Sequence, residues 1–201
     1  MNIQILIIST NKHKLHELEF VKPIEQILTK NSLNYVLIHI SKLNSIEISN
    51  FSHIIICGTA LKDFEYFKYS IESTLKIIEK LSIPTFGICS GAQILANFLK
   101  FPLFKHNVNQ IINLKSLEDS SNLNIEKDQI LQVYSLHSFL LNSRSLKEDK
   151  KNSRIILVHE SSPELIELLQ IKNFILCFFH IEIKNKEILL KWINSYINLT
   201  N

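Results

Sequence analysis

The fold is constrained most by four continuous apolar runs in the first half of the chain: Ile3 to Ile8, Tyr35 to Ile40, His53 to Cys57 and Ile83 to Ile88. A run without alternation is what a parallel strand buried on both faces requires. Helical patterns lie between the runs. From Lys62 to Lys80 the residues Phe64, Phe67, Ile71, Leu75 and Ile78 fall three or four apart, which predicts one stripe on a helix of about five turns. Leu15, Leu18, Ile24 and Leu28 form a similar stripe, with Pro23 as its start or a kink. Strand alternating with helix predicts an α/β fold with a mainly parallel central sheet flanked by helices, and ligands at the strands' carboxyl ends. Phe101 to about Val133 is rich in Asn and Ser and reads as short strands and loops. Ile155 to Val158 and Phe174 to Phe179 read as late strands, Glu160 to Pro163 as a strand exit, and Lys186 to Ile197 as a closing helix.

The 201 residues suit one domain spanning 1–201, since no repeat or low-complexity linker divides them. A net charge of +3, with arginine only at Arg144 and Arg154, argues against nucleic-acid binding. The basic stretch from Arg144 to Arg154 reads as a solvated loop. Cys57, Cys89 and Cys177 are too widely spaced to suggest a disulfide framework or a zinc cluster. The N-terminus lacks a charged region before its apolar run, and the uncharged run Ser82 to Leu99 is broken by Pro84, Gln93 and Asn97. Neither a signal peptide nor a membrane span is expected, which points to a cytoplasmic protein.

Chemistry concentrates where the fourth run ends, at Pro84-Thr85-Phe86-Gly87-Ile88-Cys89-Ser90-Gly91-Ala92-Gln93. An apolar run passing through Gly-x-Cys-x-Gly into a helical pattern lifts one side chain clear of the sheet on a sharp turn. That side chain is a thiol, and the positive end of the following helix favours the thiolate that attacks carbonyl carbon. A thiol nucleophile needs a base and the base an orienting acceptor. Phe178-Phe179-His180-Ile181-Glu182 supplies both, because residues two apart in extended backbone project to one side. Cys57 and Cys177, within strand-like runs, read as packing residues. His13, His16, His39, His53, His106 and His159 share no ligand spacing and read as surface or packing positions.

The elbow and the late His-x-Glu resemble the class I glutamine amidotransferases, with their Gly-x-Cys-x-Gly-x-Gln turn and Phe-His-Pro-Glu segment. Val133-Tyr134-Ser135-Leu136-His137-Ser138-Phe139 resembles the turn that holds the substrate glutamine, and Ile54-Ile55-Ile56-Cys57-Gly58-Thr59 the strand and oxyanion loop. The resemblance implies a flavodoxin-like class I amidotransferase fold. It also implies that Cys89 attacks glutamine to form a γ-glutamyl thioester, that His180 moves the protons and that Glu182 holds its tautomer. The backbone N–H groups of Ser90 and the Gly58 loop would hold the oxyanion, each worth ~3 kcal/mol. Gln93, Ser138 and Phe139 would position substrate, without metal or organic cofactor. His137 serves there through its backbone or as a structural turn. Two positions depart from the family pattern: Ile181 stands in place of proline and Thr59 in place of a second glycine.

No Gly-x-x-x-x-Gly-Lys phosphate loop is present, so the resemblance implies a separate synthase that accepts the ammonia. By length, the glutaminase subunit of GMP synthase fits best, then that of anthranilate synthase. Two other classes stay open: a cysteine hydrolase of γ-glutamyl or peptide substrates, and a catalytically silent regulatory subunit.

Overall fold

A computed structural model describes residues 4–146 and 153–197. Ile3, the first residue of the first apolar run, and 147–152 of the basic segment lie outside the described residues.

The four apolar runs form strands β1 (Gln4–Ser9), β2 (Asn34–His39), β3 (His53–Ile56) and β4 (Thr85–Ile88). With β9 (Phe174–Cys177) they make a parallel sheet in the order β2-β1-β3-β4-β9, the flavodoxin order. Both faces are covered, which explains the absence of alternation in these strands. Ile5 and Ile7 face one core with Val21, Ile24 and Leu28, and with Leu189, Trp192 and Ile193. These come from around helices α1 (Glu17–Phe20) and α2 (Lys22–Lys30) and from α5 (Lys186–Ile197). Leu6 and Ile8 face the opposite core with Leu75 and Ile78 of α3 (Glu72–Lys80) and Ala92 and Leu95 of α4 (Ser90–Phe98). Each such side chain taken fully out of water contributes about 1.5–3 kcal/mol.

The rest of the sheet departs from the expected mainly parallel arrangement. Strands β5 (Leu103–Ser116), β6 (Ile130–Asn142), β7 (Arg154–His159) and β8 (Leu165–Ile171) are antiparallel and close on one another, β5 with β6, β6 with β8, β8 with β7 and β7 with β5. The result is a small barrel, attached to the parallel sheet where β8 pairs with β9. Phe101 to Val133 is therefore no set of short strands. It supplies one strand of 14 residues and the start of one of 13; Asn107, Asn109 and Asn113 lie on exposed positions of β5, while Ser116 is buried.

The stripe from Lys62 to Lys80 is also not one helix. A 3-10 turn covers Glu65–Lys68 and the α-helix begins only at Glu72. The Asp63 carboxylate accepts the Lys12 and Glu65 N–H groups at 2.8 and 3.2 Å and the Thr59 hydroxyl at 2.9 Å, which holds this stretch as a loop. Pro23 lies in the first turn of α2, where its missing N–H costs nothing.

Candidate functional site

Cys89 sits between β4 and α4 with φ 49° and ψ −104°, a left-handed conformation that costs a non-glycine residue about 1–3 kcal/mol. The turn is held from both sides: the Cys89 N–H donates to the Cys177 carbonyl at 2.8 Å and its own carbonyl accepts the Gln93 N–H at 3.1 Å. Gly91 permits the close approach. A Cβ there would lie 2.2 Å from the Ile56 carbonyl oxygen, so the helix could not pack so tightly on β3. The three glycines of the chain, Gly58, Gly87 and Gly91, all surround this cysteine.

His180 and Glu182 follow β9, in a turn rather than in the extended backbone expected; the Ile183 N–H bonds back to the His180 carbonyl at 3.3 Å. The pairing survives the change of backbone, with Nδ1–H donating to Glu182 Oε1 at 2.7 Å. Both side chains are fully enclosed. Burial by itself lowers the imidazole pKa, but Glu182 and Cys89 outweigh it and hold it well above the usual range. Gly58 makes room for the ring, since a Cβ on it would stand 2.7 Å from His180 Cε1 and 3.3 Å from Cys89 Cβ. Ile181 is wholly buried in the core with Phe179 and Ile188. There it anchors the turn by packing.

The Leu136 carbonyl on β6 meets both reactive groups. The Cys89 thiol donates to it at 3.1 Å and His180 Nε2 lies 3.3 Å from it. A narrow cleft over Cys89 is lined by Thr59 to Leu61, Asp63, Phe64, Tyr66, Ser90, Gln93 and Leu136 to Ser138. Gln93 is buried in it, its Oε1 accepting the Tyr66 hydroxyl at 2.6 Å. Ser138 Oγ donates to the Leu61 carbonyl at 3.1 Å, tying β6 to the loop after Gly58. Phe139 stands apart from this lining and packs edge-on against Phe64, ring centroids 5.7 Å apart.

Three contributors escaped the sequence reading. At the carboxyl end of β1, the Thr10 hydroxyl donates to the Cys57 carbonyl at 3.1 Å and pairs with Ser90 Oγ at 2.8 Å, and Asn11 Nδ2 donates to the Gly58 carbonyl at 3.3 Å. A planar trans peptide pinned at its carbonyl also has its N–H direction fixed, so Thr10 sets the aim of the Gly58 N–H and Asn11 that of the Thr59 N–H. Tyr66 is the third. Thr59, the departure from glycine, turns its hydroxyl to Asp63. Burial would raise the Asp63 pKa, but its bonds from Lys12, Glu65 and Thr59 hold it below the usual carboxylate range. Cys57 and Cys177 are buried, and burial pushes both thiols well up.

A sharp nucleophile turn with a histidine–carboxylate pair against it is shared by several hydrolase folds, so sequence likeness decides the family. The profile of the class I glutamine amidotransferases matches residues 16–195. The chain belongs to that family. No curated protein matches it in sequence. Among solved structures, a candidate GMP synthase subunit from Thermoplasma acidophilum is similar with a TM-score of 0.78 at 13% identity, over 100% of this chain and 96% of that one. A chain of PurLQS from Thermotoga maritima gives 0.74 at 15% identity, over 97% and 99%. A glutamine amidotransferase from Thermotoga maritima gives 0.68 at 18% identity, over 98% and 84%. At these identities the likeness is one of fold. Among the described residues, no helix of this amidotransferase is long and apolar enough to cross a membrane.

Proposed function

We propose that this amidotransferase hydrolyses L-glutamine to glutamate and ammonia at Cys89 and passes the ammonia to a separate synthase. The observation that carries the reading is the enclosed Cys89–His180–Glu182 arrangement, with Nδ1–H fixed on Glu182 at 2.7 Å. That bond leaves Nε2 as the nitrogen that exchanges a proton with the thiol.

His180 takes the Cys89 proton, and the thiolate attacks the side-chain carbonyl carbon of glutamine. The oxyanion faces the Ser90 N–H and the pinned loop after Gly58. His180 returns its proton to the amine, the C–N bond breaks, and ammonia leaves a γ-glutamyl thioester. Neutral His180 then takes a proton from water; the hydroxide attacks the thioester, glutamate departs, and the thiolate recovers its proton. The Leu136 carbonyl, 3.3 Å from Nε2, accepts the Nε2 proton whenever the ring is charged. Gln93 and Ser138 line the side-chain slot.

For the acceptor we favour GMP synthase, with anthranilate synthase second; the fold is shared with a candidate GMP synthase subunit and likewise with a chain of PurLQS. The test is glutamine-dependent product formation when the chain is mixed with the catalytic subunit of each synthase from the same genome. Product with the GMP synthase subunit, lost in Cys89→Ala, is expected. Glutamate release with no ammonia transfer to either would leave a plain γ-glutamyl hydrolase.

A further inference from the structure

Beside the site, inside the small barrel, lies a group of side chains that the glutaminase chemistry does not use. Glu167 on β8 is fully buried, and its Oε1 accepts His137 Nε2–H of β6 at 2.9 Å, His159 Nε2–H of β7 at 2.8 Å and the Ser135 hydroxyl at 3.2 Å. Burial would raise its pKa, but the two imidazoles outweigh that and bring it down to about 2. Both rings aim at one oxygen as hydrogen-bond donors, and no His, Cys, Asp or Glu group among the described residues is arranged to hold a metal ion. A buried carboxylate is costly unless it is paired and hydrogen-bonded, and here all three bonds converge on Oε1.

What it holds is on either side of the reacting atoms. Through His137 it fixes the neighbouring Leu136 carbonyl, the acceptor met by both the Cys89 thiol and His180 Nε2. Through its own carbonyl it accepts the Phe178 N–H at 2.9 Å, two residues before His180. Ser138, on the other side of His137, pins the loop after Gly58. We propose that Glu167 is a positioning residue for glutamine hydrolysis, clamping through His137 the Leu136 carbonyl against Cys89 and His180. The proposal rests on the glutaminase reading above.

The test is the kinetics of covalent labelling of Cys89 by a glutamine-mimicking diazo-ketone, with the labelled fraction giving the number of competent sites. Glu167→Leu removes the acceptor, whereas Glu167→Gln keeps an oxygen where Oε1 stands. Small displacements of reacting groups cost up to about 100-fold in rate. We expect Glu167→Leu to lose tenfold or more in kinact per competent site with KI little changed, and Glu167→Gln to recover most of it. Should Glu167→Leu not fold, His137→Phe breaks the same link from the other strand and is expected to show the same loss. Fewer competent sites with an unchanged kinact per site would make Glu167 merely structural and overturn the proposal. Absence of labelling in the wild-type chain would instead overturn the glutaminase reading itself.

Discussion

Two glycines that look alike in the sequence carry different burdens. A Cβ on Gly58 meets the edge of the His180 ring at 2.7 Å, whereas one on Gly91 meets the Ile56 backbone carbonyl at 2.2 Å. The ring can tilt but the strand cannot. Gly58→Ala is therefore expected to fold, with a smaller stability loss than Gly91→Ala, and to lose diazo-ketone labelling; Gly91→Ala is expected to lose about 1–3 kcal/mol or more in denaturant titration. Equal stability losses in the two would contradict this division. Glu182→Gln keeps the shape of the side chain but not the charge that fixes the His180 tautomer. Glutamate release should fall by about 100-fold or more while circular dichroism stays native. A near-normal rate would mean that the imidazole is oriented by its packing against Phe20 instead, ring centroids 5.2 Å apart.

The elements divide into those whose pattern is local and those that depend on distant partners. The parallel strands and the elbow were legible because double-sided burial writes a continuous apolar run, and a tight strand-to-helix turn needs glycines at fixed offsets. Strand β8 was invisible because Glu167 interrupts its apolar run, and the imidazoles that make that carboxylate tolerable sit 8 and 30 residues away. The same separation hid His137 and His159, which share no spacing in sequence but share one oxygen in space. Cys89 and the His180–Glu182 pair stand out in the sequence by residue type and order, and Gln93 and Ser138 only through the family resemblance, whereas Thr10, Asn11 and Tyr66 act by reaching back across the fold and leave no local signature. Tyr66, in the 3-10 turn that replaces the expected start of a long helix, tests whether that irregularity serves the site. Its hydroxyl satisfies the buried Gln93 oxygen at 2.6 Å, so Tyr66→Phe should cost about 1–3 kcal/mol of stability. The KM for glutamine should rise severalfold with kcat less affected. A change in stability alone would show that Gln93 does not need the hydroxyl to hold substrate.

Over the whole molecule, buried titratable groups set how stability follows pH. His53 packs edge-on against Trp192, ring centroids 5.4 Å apart, and burial lowers its pKa to about 4, partly offset by a hydrogen bond with the Ile193 backbone. Between that value and about 6.5, the unfolded chain binds the extra proton. The stability tied to this group is therefore complete above pH 6.5 and is lost as pH falls towards 4, on the order of 3 kcal/mol. His180 works in the opposite sense: its raised pKa stabilises the fold below about pH 6.5, and the contribution fades as pH rises through the folded value. Glu167, held down at about 2, gives a contribution that is full above about pH 4.5 and is lost as pH falls from there towards 2. Urea titrations at pH 4.5 and 7 should show the wild-type chain less stable at the lower pH and His53→Gln with a flatter dependence. An unchanged slope in the variant would place the proton uptake elsewhere.

On this reading, Cys89 is a glutamine-hydrolysing nucleophile. The most direct measurement is labelling of the purified protein with a glutamine-mimicking diazo-ketone, read by peptide mass spectrometry with glutamine as protecting competitor, alone and with each candidate synthase partner. Modification at Cys89 that glutamine suppresses is the predicted result. No modification under any of these conditions, or modification that glutamine does not suppress, would contradict it.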